Sequence, residues 1–177
     1  MSEVNGNTVR KTKHGAWPWL WLSVAVIALD QVSKYLVSSQ LAVYDSIRLL
    51  PVFNLTLLHN TGAAWSFLAG ASGWQRWFFI LLALAVSVAI ILWLRYLPRQ
   101  QHRWRAPALA LVLGGALGNV IDRVWHGYVI DFIQLHYHGW YYPAFNLADS
   151  AITLGAIMLI IEGLFTGRGR RLSDWLK

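Results

Sequence analysis

Four long apolar stretches dominate this chain of 177 residues and leave it few folds to choose from. A helix needs about 20 mostly apolar residues to cross a hydrocarbon core about 30 Å thick. The first stretch, about 16–37, is apolar up to Leu29 and is then interrupted by Asp30 and Lys34. The second, about 74–96, has no charge between Trp77 and Leu94. The third, about 106–123, is uncharged up to Ile121, and the fourth, about 145–165, is bracketed by Asp149 and Glu162. Backbone groups in lipid must find their hydrogen bonds within the segment, so each stretch reads as a helix. Only 13% of the residues are charged, against about 25% in a typical soluble domain. A soluble domain could not cover so apolar an interior. The expectation is an all-α polytopic membrane protein of four transmembrane helices.

The bases set the direction of the spans. Arg10, Lys11 and Lys13 precede the first span, and Arg95, Arg99, Arg103 and Arg105 lie between the second and third. Arg168, Arg170, Arg171 and Lys177 follow the fourth. These eleven of fifteen bases fall on one side of an even-numbered bundle, which the positive-inside rule makes cytoplasmic. Both tails, 1–15 and 166–177, are then inside, and segments of about 38–73 and 124–143 are outside, all in a single membrane domain. The first stretch could be a signal peptide given its basic flank, but no small-residue cleavage site follows it. A net charge of +7 could also attract nucleic acid, yet 11 Trp fit a bilayer better. The absence of Cys excludes disulfides, thiolate catalysis and Cys-ligated metal.

In the first exterior segment, residues 46–67 mix β-branched and aromatic residues with turn formers, the pattern of short strands. Asn60, Thr61 and Gly62 are expected to form a turn separating its two halves. The second segment is aromatic-rich, with Trp140, Tyr141 and Tyr142 suited to the membrane interface.

The acids are the informative residues, because the chain has only eight. Glu3 and Asp174 fall in the tails, Glu162 near the inner end of the fourth span, and Asp45 in an exterior loop. The first span runs outward and carries Asp30 about 20 Å along it, at 1.5 Å per residue. The third also runs outward and delivers Asp122 at its outer end; the fourth runs inward and starts with Asp149. Asp131 lies in the loop joining these two. Asn119 precedes Asp122 by three residues and Arg123 by four, so all three can share a helix side, and Asn146 precedes Asp149 likewise. Charge at membrane depth is expensive and normally turns inward and pairs. A salt-bridge knot of Asp30, Asp122 and Arg123 that only pins helices accounts for those three. It accounts less well for Asp131 and Asp149, because Arg123 is the one arginine at hand and already adjoins Asp122.

Two close carboxylates share a proton near neutral pH. One can then act as general base on water while the other donates a proton. Such a pair titrates as a unit and needs neither metal nor nucleophilic side chain. Competing chemistries find less support. His136 and His138 could bind metal, but no HExxH and no third ligand accompany them. Lys34 adjoins Ser33, yet fits snorkelling or pairing with Asp30 better than a Ser/Lys dyad. Gly114 and Gly118 form a GxxxG that lets helices approach. A small proton-coupled transporter is the main alternative; it would want acids spread across the membrane or broken helices at its middle. A purely structural subunit would leave two unpaired Asp beside Asn unexplained.

Five blocks in this order resemble the bacterial lipoprotein signal peptidase family, signal peptidase II. They are Leu29-Asp30-Gln31-Val32-Ser33-Lys34, Asn60-Thr61-Gly62-Ala63-Ala64-Trp65-Ser66-Phe67, residues 114–123 (GGALGNVIDR), Val129-Ile130-Asp131-Phe132, and residues 143–150 (PAFNLADS). The resemblance implies a membrane aspartyl endopeptidase that removes the signal peptide of prolipoproteins just before a diacylglyceryl-modified Cys. It implies Asp131 and Asp149 as the catalytic pair. The supporting or substrate-binding residues would be Asp30, Lys34, Asn60, Gly62, Asn119, Asp122, Arg123, Asn146 and Ala148. It further implies a small periplasmic β-sheet cradle from 38–73, a short periplasmic loop or helix after it, and residence in the bacterial inner membrane. Neither cofactor nor metal is expected. The implied partners are prolipoproteins, membrane lipids and globomycin-type inhibitors, with no nucleic acid, and the chain would act as a monomer.

Overall fold

The computed structural model describes residues 15–62, 73–97 and 104–167. Within them lie four helices, α1 (Leu20–Gln40), α2 (Trp74–Tyr96), α3 (Arg105–Trp125) and α4 (Leu147–Gly167). All four are long and apolar enough to cross a membrane. A short 3-10 turn, Trp17–Trp19, leads into α1 with Pro18 in its first positions, where a missing N–H costs nothing. At the two ends of α2, Trp74 and Trp77, then Trp93 and Tyr96, turn outward as interfacial aromatics do.

Helix α3 is the hub. Most of its length is buried, whereas the other three expose large aliphatic and aromatic side chains along much of theirs. Small residues make this possible. A Cβ on Gly114 would sit 2.8 Å from the Ser23 carbonyl oxygen and from Val26 Cβ of α1, so the GxxxG expected to permit close packing lies at that contact. Gly155 of α4 meets the Ala108 carbonyl of α3 just as closely. Without a hydrophobic drive between helices in lipid, such close backbone approach and hydrogen bonds such as Ser23 Oγ to the Ala110 carbonyl (2.8 Å) hold the bundle.

An antiparallel sheet sits at the C-terminal end of α1 and α3, in the order β1 (Ser46–Leu50), β2 (Phe53–Asn60), β3 (Val129–Tyr137), β4 (Trp140–Tyr141). Half of it comes from the second exterior segment, which corrects the expectation of a loop or helix there. The β-branched and apolar run Val129-Ile130-Asp131-Phe132-Ile133 pairs with β2, and the aromatics read as an interface belt form the β3–β4 hairpin. The turn position is corrected too. The β1–β2 reversal falls at Pro51 and Val52, and Asn60-Thr61-Gly62 instead ends β2; the expected strand residues 63–67 lie outside the described residues. Val37 of α1, Leu57, Ile130 and Phe132 form the core beneath the sheet.

Two connections bring the acids together. α3 ends at Trp125, and Gly127, at φ +88°, reverses the chain so that β3 starts only four residues later. Before α4, Phe145 forms three backbone hydrogen bonds with Phe132 and Ile133 (2.8–3.0 Å), which fixes Asn146 beside Asp131. A bulge in β2 between Leu55 and Leu58 lies opposite the Asp131–Ile133 step, where bulges commonly re-aim a side chain.

Candidate active site

Asp131 and Asp149 line one cleft of about 580 Å³. Asn60, Asn119 and Arg123 complete its polar end, and Leu154 and Ile157 of α4 extend it along an apolar wall. Asp131 is 2% exposed. Its carboxylate accepts from Asn60 Nδ2 (2.9 Å) and from Asn146 Nδ2 (2.8 Å). Asp149 accepts from Asn119 Nδ2 at 2.8 Å. Asn60, Asn146 and Asn119 thus donate to the two acids through neutral amides. Burial first, and then the negative charge of Asp149, push Asp131 up to about 7.

Asp149 occupies the third position of α4 and forms a reciprocal cap with Asn146. The Asp149 N–H donates to Asn146 Oδ1 (2.9 Å), while the Asn146 N–H reaches Asp149 Oδ2 (3.4 Å). A carboxylate there is favoured by the partial positive charge of the helix N-terminus. Burial thus favours the proton on Asp131.

A second group of charges braces the backbone behind the pair. Lys34 Nζ lies 2.6 Å from Asp30 and 2.8 Å from Asp122, and also donates to Asn119 Oδ1 at 3.2 Å. The free oxygen of Asp30 accepts the Ala148 N–H (2.9 Å), one residue before Asp149. Asp122 accepts the Ile130 N–H (3.1 Å), one residue before Asp131. The two segments that carry the cleft acids are thus tied, by matching bonds, to one ammonium. All three charged residues are at most 2% exposed.

This arrangement corrects the expected knot around Arg123. Neighbours on a helix point about 100° apart, so Arg123 faces the cleft while Asp122 faces Lys34. Arg123 donates to the backbone carbonyls of Gly62 (3.0 Å) and Asn119 (3.4 Å) and lies over the Phe79 ring. Gly62 in turn donates its N–H to Asn60 Oδ1 (2.9 Å), which orients that amide towards Asp131. The pairing of Lys34 with Asp30 is present, and snorkelling is not. Ser33 donates to the Asp30 carbonyl, away from any base role with Lys34.

The fold and sequence of this site have relatives. The sequence profile of the family described as "Signal peptidase (SPase) II" matches residues 22–165. The chain belongs to the signal peptidase II family. It is therefore a peptidase, of the family's aspartic type. A lipoprotein signal peptidase of Pseudomonas syringae pv. tomato is 55% identical over 157 residues, 88% of this chain and 90% of that protein. One from Pseudomonas aeruginosa is 54% identical over 85% of this chain and 89% of its own length. A bacterial membrane enzyme solved by the in meso method at 2.3 Å superposes with a TM-score of 0.77 at 32% identity, over 91% of this chain and 96% of its own.

All eleven residues singled out from the sequence fall in one connected network: Asp131 and Asp149 in the cleft, and Asp30, Lys34, Asn60, Gly62, Asn119, Asp122, Arg123, Asn146 and Ala148 around them. Gln31 was missed. Its amide donates to Asp122 (2.8 Å) and to the Gly118 carbonyl (3.3 Å), and its place inside the Leu29–Lys34 block was the available signal. Elsewhere, His136 stacks on Tyr141 and His138 packs edge-on against Tyr137. Among the described residues no three His, Asp or Glu are grouped to hold a metal ion.

Proposed function

We propose that this chain cleaves the signal peptide from prolipoproteins by general acid–base catalysis at Asp131 and Asp149. The observation that carries this reading is a pair of carboxylates in one cleft, held by amides and, among the described residues, with no cation hydrogen-bonded to either. Near neutrality the pair holds one proton. Asp149, as the carboxylate of the pair, takes a proton from a water. Asp131, protonated, gives its proton to the scissile carbonyl oxygen; as the C–N bond breaks, Asp149 passes the proton taken from water to the leaving amine, and the gem-diol returns a proton to Asp131. Asn60, Asn119 and Asn146 keep both carboxyl groups in place, and Arg123 holds Gly62, whose N–H orients the Asn60 amide. Neutral amides suit this role, because a bonded cation would favour full ionisation.

The positive-inside distribution supports a cytoplasmic position for both termini in the bacterial inner membrane, with cleft and sheet on the periplasmic side. A diacylglyceryl-modified Cys would bring the scissile bond to outer-leaflet depth by lateral diffusion. The apolar wall at Leu154 and Ile157 suits an aliphatic partner there, and globomycin-type cyclic peptides would occupy the same cleft. The chain acts as a monomer, since the network is complete within one copy. The test is cleavage of a purified diacylglyceryl-prolipoprotein, with the new N-terminus read by mass spectrometry. Cleavage immediately before the modified Cys, unaffected by chelators and serine reagents, is the expected result. Loss of activity in EDTA, or no cleavage at that bond, would overturn it.

A further inference from the structure

Three aromatic rings are stacked where the end of β2 meets the α3–β3 connection. The His59 and Tyr128 rings lie 3.8 Å apart at 15°, and His126 stacks on the same Tyr128 at 5.6 Å and 22°. Each comes from an element that builds the site. His59 directly precedes Asn60 on β2, Tyr128 leads into β3, and His126 caps α3 four residues after Asp122. None of the three rings bonds to Asp131 or Asp149. Yet the end of β2, where His59 pairs with Ile130 and Asn60 with Val129, sets where the Asn60 amide meets Asp131.

We propose that His59 is a positioning residue: with neutral rings the His59–Tyr128–His126 stack holds Asn60 on Asp131, and protonation of both histidines opens it and lowers cleavage at acid pH. This rests on the assignment of Asp131 and Asp149 as the catalytic pair. A first proton is tolerated, because a cation over the Tyr128 face is attracted by the ring. A second sets two like charges against one ring. The charged groups around the stack offer no relief. Arg76 of α2 reaches its rim, donating to the Val124 carbonyl at 2.9 Å and lying close to Gly127. Arg123 of α3 and Lys34 of α1, which lines a cavity together with His126, are also cationic. The two acids nearby are engaged, Asp122 by Lys34, Gln31 and the Ile130 N–H, and Asp131 by Asn60 and Asn146. Burial already holds His59 below its ordinary value, and the neighbouring His126 pushes it the same way.

His59→Phe keeps a stacking ring that cannot charge. Its cleavage at neutral pH should stay near wild type. Its acid-side half-activity should move down by about one pH unit, the usual spread of histidine values in folded proteins. The alkaline limb, set by Asp131, should not move. His126→Phe, at an exposed ring, should shift the acid limb the same way and carries the test if His59→Phe fails to fold. Histidine ring NMR titration in the Asp149→Asn protein separates this proposal from the catalytic assignment, since it needs no cleavage. The His59 signal should titrate at higher pH once His126→Phe is added. Acid limbs unchanged in the folded Phe variants, or a His59 titration indifferent to His126, would overturn the proposal.

Discussion

Lys34→Met keeps much of the side chain's volume and removes its charge from the centre of the polar layer. The ammonium is 2% exposed and sits 2.6 Å from Asp30, 2.8 Å from Asp122 and 3.2 Å from Asn119. Removing one partner of a buried ion pair costs about 3–5 kcal/mol. Here two carboxylates are left facing each other, which places the cost at the upper end of that range. For a chain of this size each kcal/mol moves the melting temperature by about 2–4 °C. The expected loss is therefore about 10–20 °C. The 11 Trp make intrinsic fluorescence in detergent a direct assay. Because the two carboxylates anchor the Ala148 and Ile130 N–H groups, cleavage should fall further than the loss of folded protein explains. Adding Asp122→Asn removes one of the uncompensated charges, so the double variant should recover by about 1 kcal/mol or more relative to additivity. A Lys34→Met protein melting within about 2 °C of wild type, with additive behaviour in the double variant, would refute the bracing role.

Asn60→Ala removes a hydrogen bond that supports the charged form of Asp131, a loss of about 1.5–3 kcal/mol. The rate should fall about 10–100-fold, and the alkaline limb of the pH–rate profile should move above its wild-type position. Asp131 also makes stability depend on pH. Its carboxyl is raised from 3.8 to about 7 on folding, so its contribution is complete below about 4 and is lost as pH rises to about 7. Melting temperature should fall over that window, and Asp131→Asn should flatten the slope. Gly118→Ala would place a Cβ 2.8 Å from Asp30 Oδ2 and 3.4 Å from Ala148 Cβ. Such overpacking costs about 1–3 kcal/mol, whereas Gly163→Ala, with nothing within 4 Å, should be close to neutral in the same melting assay.

Much of this was legible in the residues because a membrane penalises charge so heavily. The number of helices follows from uninterrupted apolar length, and the convergence of Asp30, Asp122, Asp131 and Asn146–Asp149 follows from the alternating direction of the spans. What could not be read was pairing that depends on side-chain direction. Asp122 and Arg123 are adjacent in sequence, yet a helix sends them to different sides, so the neutralising cation is Lys34 from another helix. The β3–β4 hairpin was hidden for a different reason. Its aromatic residues suit both an interface and a strand, and only pairing with β2 decides between them. The His59–Tyr128–His126 stack was invisible because its members lie on three elements joined only by the sheet register.

Single-turnover cleavage of a diacylglyceryl-prolipoprotein by Asp131→Asn and Asp149→Asn proteins, each first shown to melt as a folded protein in detergent, tests the assignment of the two acids most directly. Each substitution is expected to abolish cleavage while leaving substrate binding intact. Turnover near the wild-type rate in either folded variant would contradict it.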